Sequence, residues 1–562
     1  MNTYQKFLQK SHQVERLRDF RELVYRSAEK YTENTAFKLR DKDISYQSFK
    51  LDYQALCTAF IDKGYKGKRI AIAGENSYNW ILTYLAAATV GVAVPIDKEL
   101  TPADMDDFIE AAECTAVFAD GKILKSVQQG KNTDKYTIDG KGDETALESV
   151  IEEGGTLYAK GNKGFDTMEI DPDELHILIF TSGTTGNAKG VCLSQTNVCA
   201  NIYSTASMVK INPSRQTLSV LPIHHTYEST LGHLLILSGG GRISYSDGLR
   251  YVGKNINEYQ PTVIIAVPLL LEFMLRTIDK TVRKSLPAKY TKNPNLPFSN
   301  LLRKLPLPLR LIVKKKVRKS LGGKLKLLIV GAAAVKPETI EAFGLLGITT
   351  YQGYGLTECS PLLAGNNDFF RNAQSCGLPV PGVEIRIENP DEDGVGEIVA
   401  KGDNIMLGYY NDPETTAEIM RGGWFHTGDL GYIDEEGWLY ITGRCKSVIV
   451  TQNGKNIYPE ELEARLLDEK IIAEAVVVAT QSMKGDGEAV KAKIYPDYDM
   501  IKAVYQGAVE SDEAVGMAIR DAVEAVNDQM PNYKRISVVE IVKEPFEKTT
   551  TKKIKRFGAN VE

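Results

Sequence analysis

Short runs of aliphatic and β-branched residues alternate with helically spaced segments through the first four hundred residues. Arg69–Ala73, Thr115–Ala119, Ile177–Phe180, Thr262–Val267 and Leu325–Val330 read as buried strands. Ser77–Thr89 and Pro102–Ala112 carry the spacing of helices. Alternation of this kind predicts mainly parallel sheets covered by helices. From about Gly382 the texture changes to short strands with acidic, Gly-rich turns: Val383–Ile387, Gly396–Ala400 and Gly437–Ile441. That pattern predicts an antiparallel, barrel-like subdomain. After Gly443-Arg-Cys-Lys446 the pattern resets to a strand at Ser447–Thr451, a turn at Gly454 and a helix starting near Pro459. These elements open a small α+β domain, so the chain divides into residues 1–445 and 446–562.

The chain has 562 residues, too many for one core, which agrees with this division. The longest apolar stretch, Trp80–Ile96, is broken by Thr83, Thr89 and Gly91 and ends in Pro95-Ile96. It falls short of the roughly 20 residues of a membrane span and reads as a buried helix running into a strand. Met1-Asn-Thr-Tyr-Gln-Lys-Phe7 lacks the apolar core of a signal peptide. Seven scattered cysteines with no C-x-x-C pair fit reduced thiols rather than a disulfide framework or a zinc site. A cytoplasmic protein is expected, with peripheral membrane association as an alternative.

A net charge of −5 gives no global attraction to nucleic acid or membrane. One segment departs from this balance. Lys280–Lys326 holds fifteen Lys or Arg and no Asp or Glu, interleaved with Leu, Val and Pro. Such a stretch suits an anionic membrane surface, an acidic carrier protein, or simply solvent. Nucleic acid fits poorly, because Tyr290 and Phe298 are the segment's only aromatic stacking candidates.

The chemistry concentrates first at Thr181-Ser-Gly-Thr-Thr-Gly-Asn-Ala-Lys-Gly190, which follows the apolar run His176–Phe180. Hydroxyls, glycines that let the backbone approach closely, and the single cation Lys189 suit a polyphosphate. The segment is not a Walker A loop, since Ala188 precedes Lys189 and Gly190 follows it. It resembles instead the phosphate loop of the adenylate-forming superfamily, which includes acyl-CoA synthetases, luciferases and peptide-synthetase adenylation domains. The resemblance places Thr181, Ser182, Gly183, Thr184, Thr185, Gly186 and Lys189 on the nucleotide's phosphates.

Further motifs extend the resemblance, in the family's order, over roughly residues 70 to 556. Leu221-Pro-Ile-His-His-Thr-Tyr-Glu228 looks like the substrate-side motif, with His225 beside the acyl pocket. Gly331-Ala332-Ala333-Ala334 is similar to the small-residue segment that lies against adenine. In Tyr351-Gln352-Gly353-Tyr354-Gly355-Leu356-Thr357-Glu358 the resemblance implies that Tyr354 stacks on adenine and Gln352 bonds its edge. Thr357 would then contact phosphate, and Glu358 would hold Mg²⁺, which favours one or two carboxylates plus substrate phosphates. Trp424-Phe-His-Thr-Gly-Asp429 resembles the ribose motif, with Asp429 on the two hydroxyls and Arg444 as its partner at the sugar. Lys446 matches the hinge between the domains. Lys553, in Pro545-Phe-Glu-Lys-Thr-Thr-Thr-Lys-Lys-Ile-Lys-Arg556, matches the catalytic lysine. Where the family commonly has Gly before that lysine this chain has Lys552, which leaves Lys552 as the alternative register.

The resemblance implies an α/β fold: a large domain of two αβ layered subdomains plus the barrel-like one, then a small mobile α+β lid. It implies ATP, Mg²⁺ and CoA, with a carboxylic acid activated as its adenylate and passed to a thiol. The small domain would turn about Lys446, withdrawing Lys553 and bringing the Gly454 loop to the thiol tunnel. The substrate motif and the basic insert look most like bacterial long-chain fatty-acid–CoA ligases. No Asp lies between Leu221 and Leu231 to pair an amino acid's amine. A fatty acid with CoA is therefore expected. Acyl carrier protein as acceptor, another carboxylic acid and a non-catalytic nucleotide-binding protein remain alternatives.

Overall fold

The computed structural model describes all residues except 128–132, 182–187, 294–295, 451–455, 482–487, 505–511, 549–553 and 557–562. Two large sheets build the first part of the chain. One has eight strands and is parallel from Ile177–Thr181 through Val92–Pro95, Arg69–Ala73 and Ala116–Ala119 to the edge at Thr145–Ala146. At the other edge Lys189–Leu193 and Gly408–Tyr409 add antiparallel. The second sheet has nine strands, with a parallel centre of Arg242–Tyr245, Gln216–Ser219, Val263–Ala266, Leu327–Val330 and Thr349–Tyr354. The apolar runs become central strands because both faces are covered: every residue of Val92–Pro95, Val263–Ala266 and Leu327–Val330 is buried.

The stretch from Trp80 to Ile96 is the helix Tyr78–Val90 followed by the strand Val92–Pro95. All but one residue of that helix is buried, which explains why its sequence is apolar on every side. Ser77 caps it, its hydroxyl accepting from the Trp80 amide at 3.2 Å. Among the described residues, no helix is long and apolar enough to cross a membrane.

The antiparallel subdomain is present but is not a barrel. Val383–Glu388, Gly396–Gly402, Trp424–Ile433 and Met420–Arg421 pair in that order, and Leu439–Arg444 joins Trp424–Ile433. The described strands form an open sheet of five. Alternation along a strand reports which face is buried and carries no information about closure, so the expectation of a barrel-like form is corrected.

Past Arg444 a short turn at Cys445–Ser447 leads to Ile449–Val450 paired with Asn456–Ile457. The helix Pro459–Leu466 follows, then a three-stranded sheet of Ile472–Gln481, Glu488–Pro496 and Ile536–Ile541. Leu462, Leu466, Ile494, Ile519 and Val523 form a core here that is separate from those of the large sheets.

Candidate active site

The strand Ile177–Thr181 ends in the phosphate-loop motif and returns as Lys189–Leu193, with Thr181 opposite Lys189. The two ends of the motif are thus held side by side on paired antiparallel strands. Thr181 Oγ1 donates to the Lys189 carbonyl at 3.4 Å. Ser182, Gly183, Thr184, Thr185 and Gly186 lie outside the described residues, as do Gly454, Lys552 and Lys553. Lys189 is described, and its ammonium sits 4.8 Å from the centre of the Tyr409 ring. Pairing of Gly408–Tyr409 with Lys189–Leu193 brings the ring there.

The Tyr409 phenol reaches further and donates to Glu358 Oε1 at 2.9 Å. Burial first, then the Glu358 charge, raises the phenol's pKa well above its ordinary value, so it stays a donor. Glu358 itself is partly exposed on the turn Thr357–Cys359. Two amides brace that turn from behind. Asn404 Nδ2 donates to the carbonyls of Cys359 and Leu362 at 3.0 Å each, and Asn201 Nδ2 reaches the same pair at 3.2 and 2.9 Å. A partly exposed carboxylate on a braced turn, with a phenol on one oxygen, suits Mg²⁺ that shares phosphate oxygens.

Four residues before Glu358, Tyr354 is buried and donates its phenol to Asp429 Oδ2 at 2.8 Å. Arg444 Nε donates to Asp429 Oδ1 at 2.7 Å, because Asp429 and Arg444 face each other on paired strands. Each carboxylate oxygen therefore keeps one further acceptor site, one for each hydroxyl of a vicinal diol. The Asp429 amide donates to Thr427 Oγ1 at 3.0 Å, which holds the turn. His426 stands behind it, 2.8 Å from Glu397 and 3.3 Å from Glu388.

Gly331 follows the strand Leu327–Val330, and a Cβ there would lie 3.3 Å from the Tyr227 ring. Ala332 and Ala333 are exposed, and Ala332 adopts φ +71°, a left-handed conformation that costs a non-glycine residue energy. Gly355 makes the closest approach of the site: a Cβ there would fall 1.8 Å from the Pro361 carbonyl oxygen. Gly353 has no such backbone clash; its Cβ would meet the end of Leu362 at 2.9 Å. Gln352 is buried, with Nε2 3.8 Å from Cys376 Sγ.

His225 is partly buried and packs against His224, the rings tilted by 49° with their centres 4.0 Å apart. Burial first, then His225 and Lys98, depresses the pKa of His224 and keeps it neutral. Tyr227–Leu234 then forms a π-helix, a form that recurs at functional sites. Glu228 on it is buried, and loss of solvent raises its pKa to about 8. Lys446 is exposed in the turn between the two parts of the chain.

The structure thus brings Lys189, Glu358, Tyr354, Asp429 and Arg444 to one place, and adds Tyr409, which sequence reasoning missed. Tyr409 follows a glycine in Gly408-Tyr409-Tyr410, a pattern with no local chemical signature.

Residues 24–410 match the model of the AMP-binding enzyme family. The chain belongs to that family. Its members take ATP with Mg²⁺, and the CoA ligases among them take CoA. Human long-chain-fatty-acid–CoA ligase ACSBG1 is 30% identical over 502 residues, covering 82% of this chain and 68% of the relative. Long-chain-fatty-acid–CoA ligase FadD15 of Mycobacterium bovis is 26% identical over 535 residues, covering 87% and 86%. Among solved structures, ATP-bound MatB from Rhodopseudomonas palustris superposes with a TM-score of 0.74 at 24% identity, over 96% of this chain and 97% of that one. The Bacillus subtilis o-succinylbenzoate CoA synthetase with ATP and magnesium gives 0.70 at 21%, covering 95% and 98%. These two likenesses establish a shared fold.

Proposed function

We propose that this AMP-binding enzyme activates a long-chain fatty acid as its acyl-adenylate and transfers the acyl group to the thiol of CoA. The observation that carries the reading is the joining of two clusters through the Tyr354–Glu358 turn. Lys189, Tyr409 and Glu358 form a phosphate and metal side; Tyr354, Asp429 and Arg444 form a nucleoside side. Relatives named as long-chain-fatty-acid–CoA ligases support the choice of acid.

In the first half-reaction the acid's carboxylate oxygen attacks the α-phosphorus of ATP, and the bond to pyrophosphate breaks. The phosphate-loop motif with Thr181 and Lys189 holds the departing phosphates, and Thr357 takes a phosphate oxygen. Mg²⁺ held by Glu358 supplies Lewis-acid neutralisation of phosphate charge when bound. Tyr354 offers its ring to adenine, and Gly331, Ala332 and Ala333 form the opposite wall. Asp429, oriented by Arg444, takes the ribose hydroxyls. The chemistry is electrostatic preorganisation, with no side chain required to gain or lose a proton. His225 fronts the acyl side. We assign residues 446–562 as a lid that turns at Lys446, with Lys553 serving adenylation and the Gly454 loop serving thiol transfer. The thiolate then attacks the acyl carbonyl and AMP leaves.

The test is pyrophosphate release across saturated acids of increasing length, with CoA and holo acyl carrier protein offered separately. Turnover of long-chain acids with CoA is expected. Turnover confined to aryl or amino acids overturns the choice of acid, and thioester formed only on carrier protein overturns the choice of acceptor. ATP binding without pyrophosphate release would make the protein a non-catalytic nucleotide binder.

A further inference from the structure

The basic segment becomes a defined surface once folded. It forms the last third of the helix Pro268–Ser285, the helices Ala288–Thr291 and Phe298–Lys304, and the helix Leu307–Ser320. Of its fifteen cations, only Arg283 and Arg303 make ion pairs among the described residues, with Asp279 and Glu341. Glu272, on the same helix as Asp279, pairs with Arg276 at 3.7 Å. The remaining thirteen have no acidic partner among the described residues; ten of them are exposed, and Arg310, Lys314 and Arg318 are half-buried.

The two long helices share a pattern along their axes. On Pro268–Ser285 the exposed row begins with Leu269 and Phe273 and continues as Arg276, Lys280 and Lys284. On Leu307–Ser320 it begins with Leu307, Leu311 and Ile312 and continues as Lys315 and Lys319. The five apolar side chains are each 51–65% exposed. Both first turns lie toward the C-terminal edge of the nine-stranded sheet, where its parallel strands end. The first helix starts directly after the strand Val263–Ala266, so it begins at the C-terminal ends of the parallel strands. The second runs into Leu327–Val330, so it finishes beside the strand starts. Gly322, just beyond its end, packs against the Ile256 carbonyl, near the end of the helix that precedes Val263–Ala266. Leu249 and Tyr251, also exposed, follow the C-terminal end of Arg242–Tyr245 and fall at the same edge. Among the described residues, seven of the sixteen strongly exposed large hydrophobics thus lie between Leu249 and Ile312. Gly331 and Ala332 follow the end of Leu327–Val330 at this edge too.

We propose that this face seats the enzyme on an anionic lipid bilayer, with the apolar first turns entering the headgroup layer and the lysines on the phosphates. Apolar side chains beside unpaired cations on one face are what such a surface recognises. The composition separates lipid from a protein partner. Protein interfaces are enriched in Arg and depleted in Lys, whereas this segment has eleven Lys and four Arg, two of the latter already paired. The seat stands on the surface alone. That it brings an acid dissolved in the bilayer to the site rests on the function proposed above.

The test is co-sedimentation of the full chain with phosphatidylcholine vesicles, alone or with about 30% phosphatidylglycerol, at about 50 and 500 mM salt. Two exposed-residue variants accompany it: Phe273→Ser/Leu311→Ser/Ile312→Ser and Lys315→Glu/Lys316→Glu/Lys319→Glu, both checked for an unchanged thermal midpoint. Binding to the anionic vesicles only is expected, weakened by salt. At about fivefold per charge near the surface, loss of the three lysines alone is about a hundredfold, so the charge-reversed variant should lose at least that in partitioning. The apolar variant should lose at least about tenfold, as burial of apolar area predicts. Equal binding to both vesicles, no binding at low salt, or variants that bind like the parent overturns the proposal. Capture by an acidic holo acyl carrier protein with no vesicle binding does so as well. No activity is measured, so a wrong substrate assignment leaves these outcomes intact.

Discussion

Tyr409 donates its phenol to Glu358 Oε1 at 2.9 Å while its ring faces the Lys189 ammonium 4.8 Å away. One aromatic side chain therefore couples the strand pair that bears the phosphate loop to the carboxylate assigned to magnesium. Tyr409→Phe keeps the ring and the cation contact and removes only the hydrogen bond. A hydrogen bond to a charged acceptor contributes about 1.5–3 kcal/mol, so Glu358 should sample other rotamers. The expected result is a tenfold or greater loss in kcat/KM for ATP, with a raised magnesium requirement. Initial rates across a magnesium titration check it. A variant with the parent's magnesium dependence would show that Tyr409 packs without positioning.

Gly355 has no room for a side chain. A Cβ would stand 1.8 Å from the Pro361 carbonyl oxygen, inside the turn that Asn404 and Asn201 brace. Gly355→Ala must open that turn, and Glu358 moves with it. Adenylate formation should fall at least a hundredfold, with about 2 kcal/mol or more of stability lost through backbone strain. Pyrophosphate release and urea unfolding report the two effects. Near-parental rates in a folded Gly355→Ala protein would show that the tight approach is dispensable.

What the sequence discloses of this site depends on how locally the chemistry is written. Thr181–Gly190 and Tyr351–Glu358 are contiguous, so the composition of the first suits a polyphosphate and the second is legible through its resemblance to the family motif. Buried strands such as Leu327–Val330 stand out because parallel strands covered on both faces are apolar throughout. Tyr409 is 51 residues from Glu358 and reaches it only through pairing of Gly408–Tyr409 with Lys189–Leu193. Two-residue edge strands leave no period to detect. The π-helix at Tyr227–Leu234 is hidden for a related reason: at a single π-turn the apolar spacing differs too little from that of an α-helix to be read. The open antiparallel sheet differs from the expected barrel because closure is a property of edges, which alternation does not encode.

Glu228 and His233 are both buried on that π-helix, with His233 Nδ1 3.9 Å from Glu228 Oε1. Burial pushes Glu228 from 4.5 up to about 8, the Ser219 hydroxyl opposing weakly, and pushes His233 from 6.5 down to about 4, the Glu228 carbonyl opposing. Both are therefore neutral near pH 7. For Glu228 the native state holds a proton that the unfolded chain releases, so stability falls as pH rises from about 4.5 to 8. For His233 the unfolded chain gains a proton first, so stability falls as pH drops from 6.5 towards 4. Glu228→Gln removes the first titration and keeps the shape. Its unfolding midpoint in urea should gain on the parent's between pH 5 and pH 8, by an amount on the order of 1–5 kcal/mol. A gap that stays constant across that range would show that Glu228 does not hold its proton.

Lys336 links the segment that follows Gly331 to the part of the chain beyond Lys446. Its ammonium donates to Asp468 Oδ1 at 2.6 Å and to the Leu467 carbonyl at 3.2 Å, across the boundary at Lys446. Lys336 and Asp468 are 43% and 66% exposed in their side chains, so the pair contributes at most about 1 kcal/mol. That is too little to matter for folding and enough to shift a balance between two lid positions about fivefold. Asp468→Lys should disfavour the lid position seen here and change the ratio of adenylation to thiol-transfer rates by about two- to fivefold. Lys336→Asp combined with Asp468→Lys should recover most of that change, though not the bond to Leu467. High salt should suppress the effect, because the charges are exposed. Single-turnover measurement of each half-reaction at two salt concentrations decides it. If the reversed pair behaves like the single variant, charge attraction between the domains is not what sets the lid.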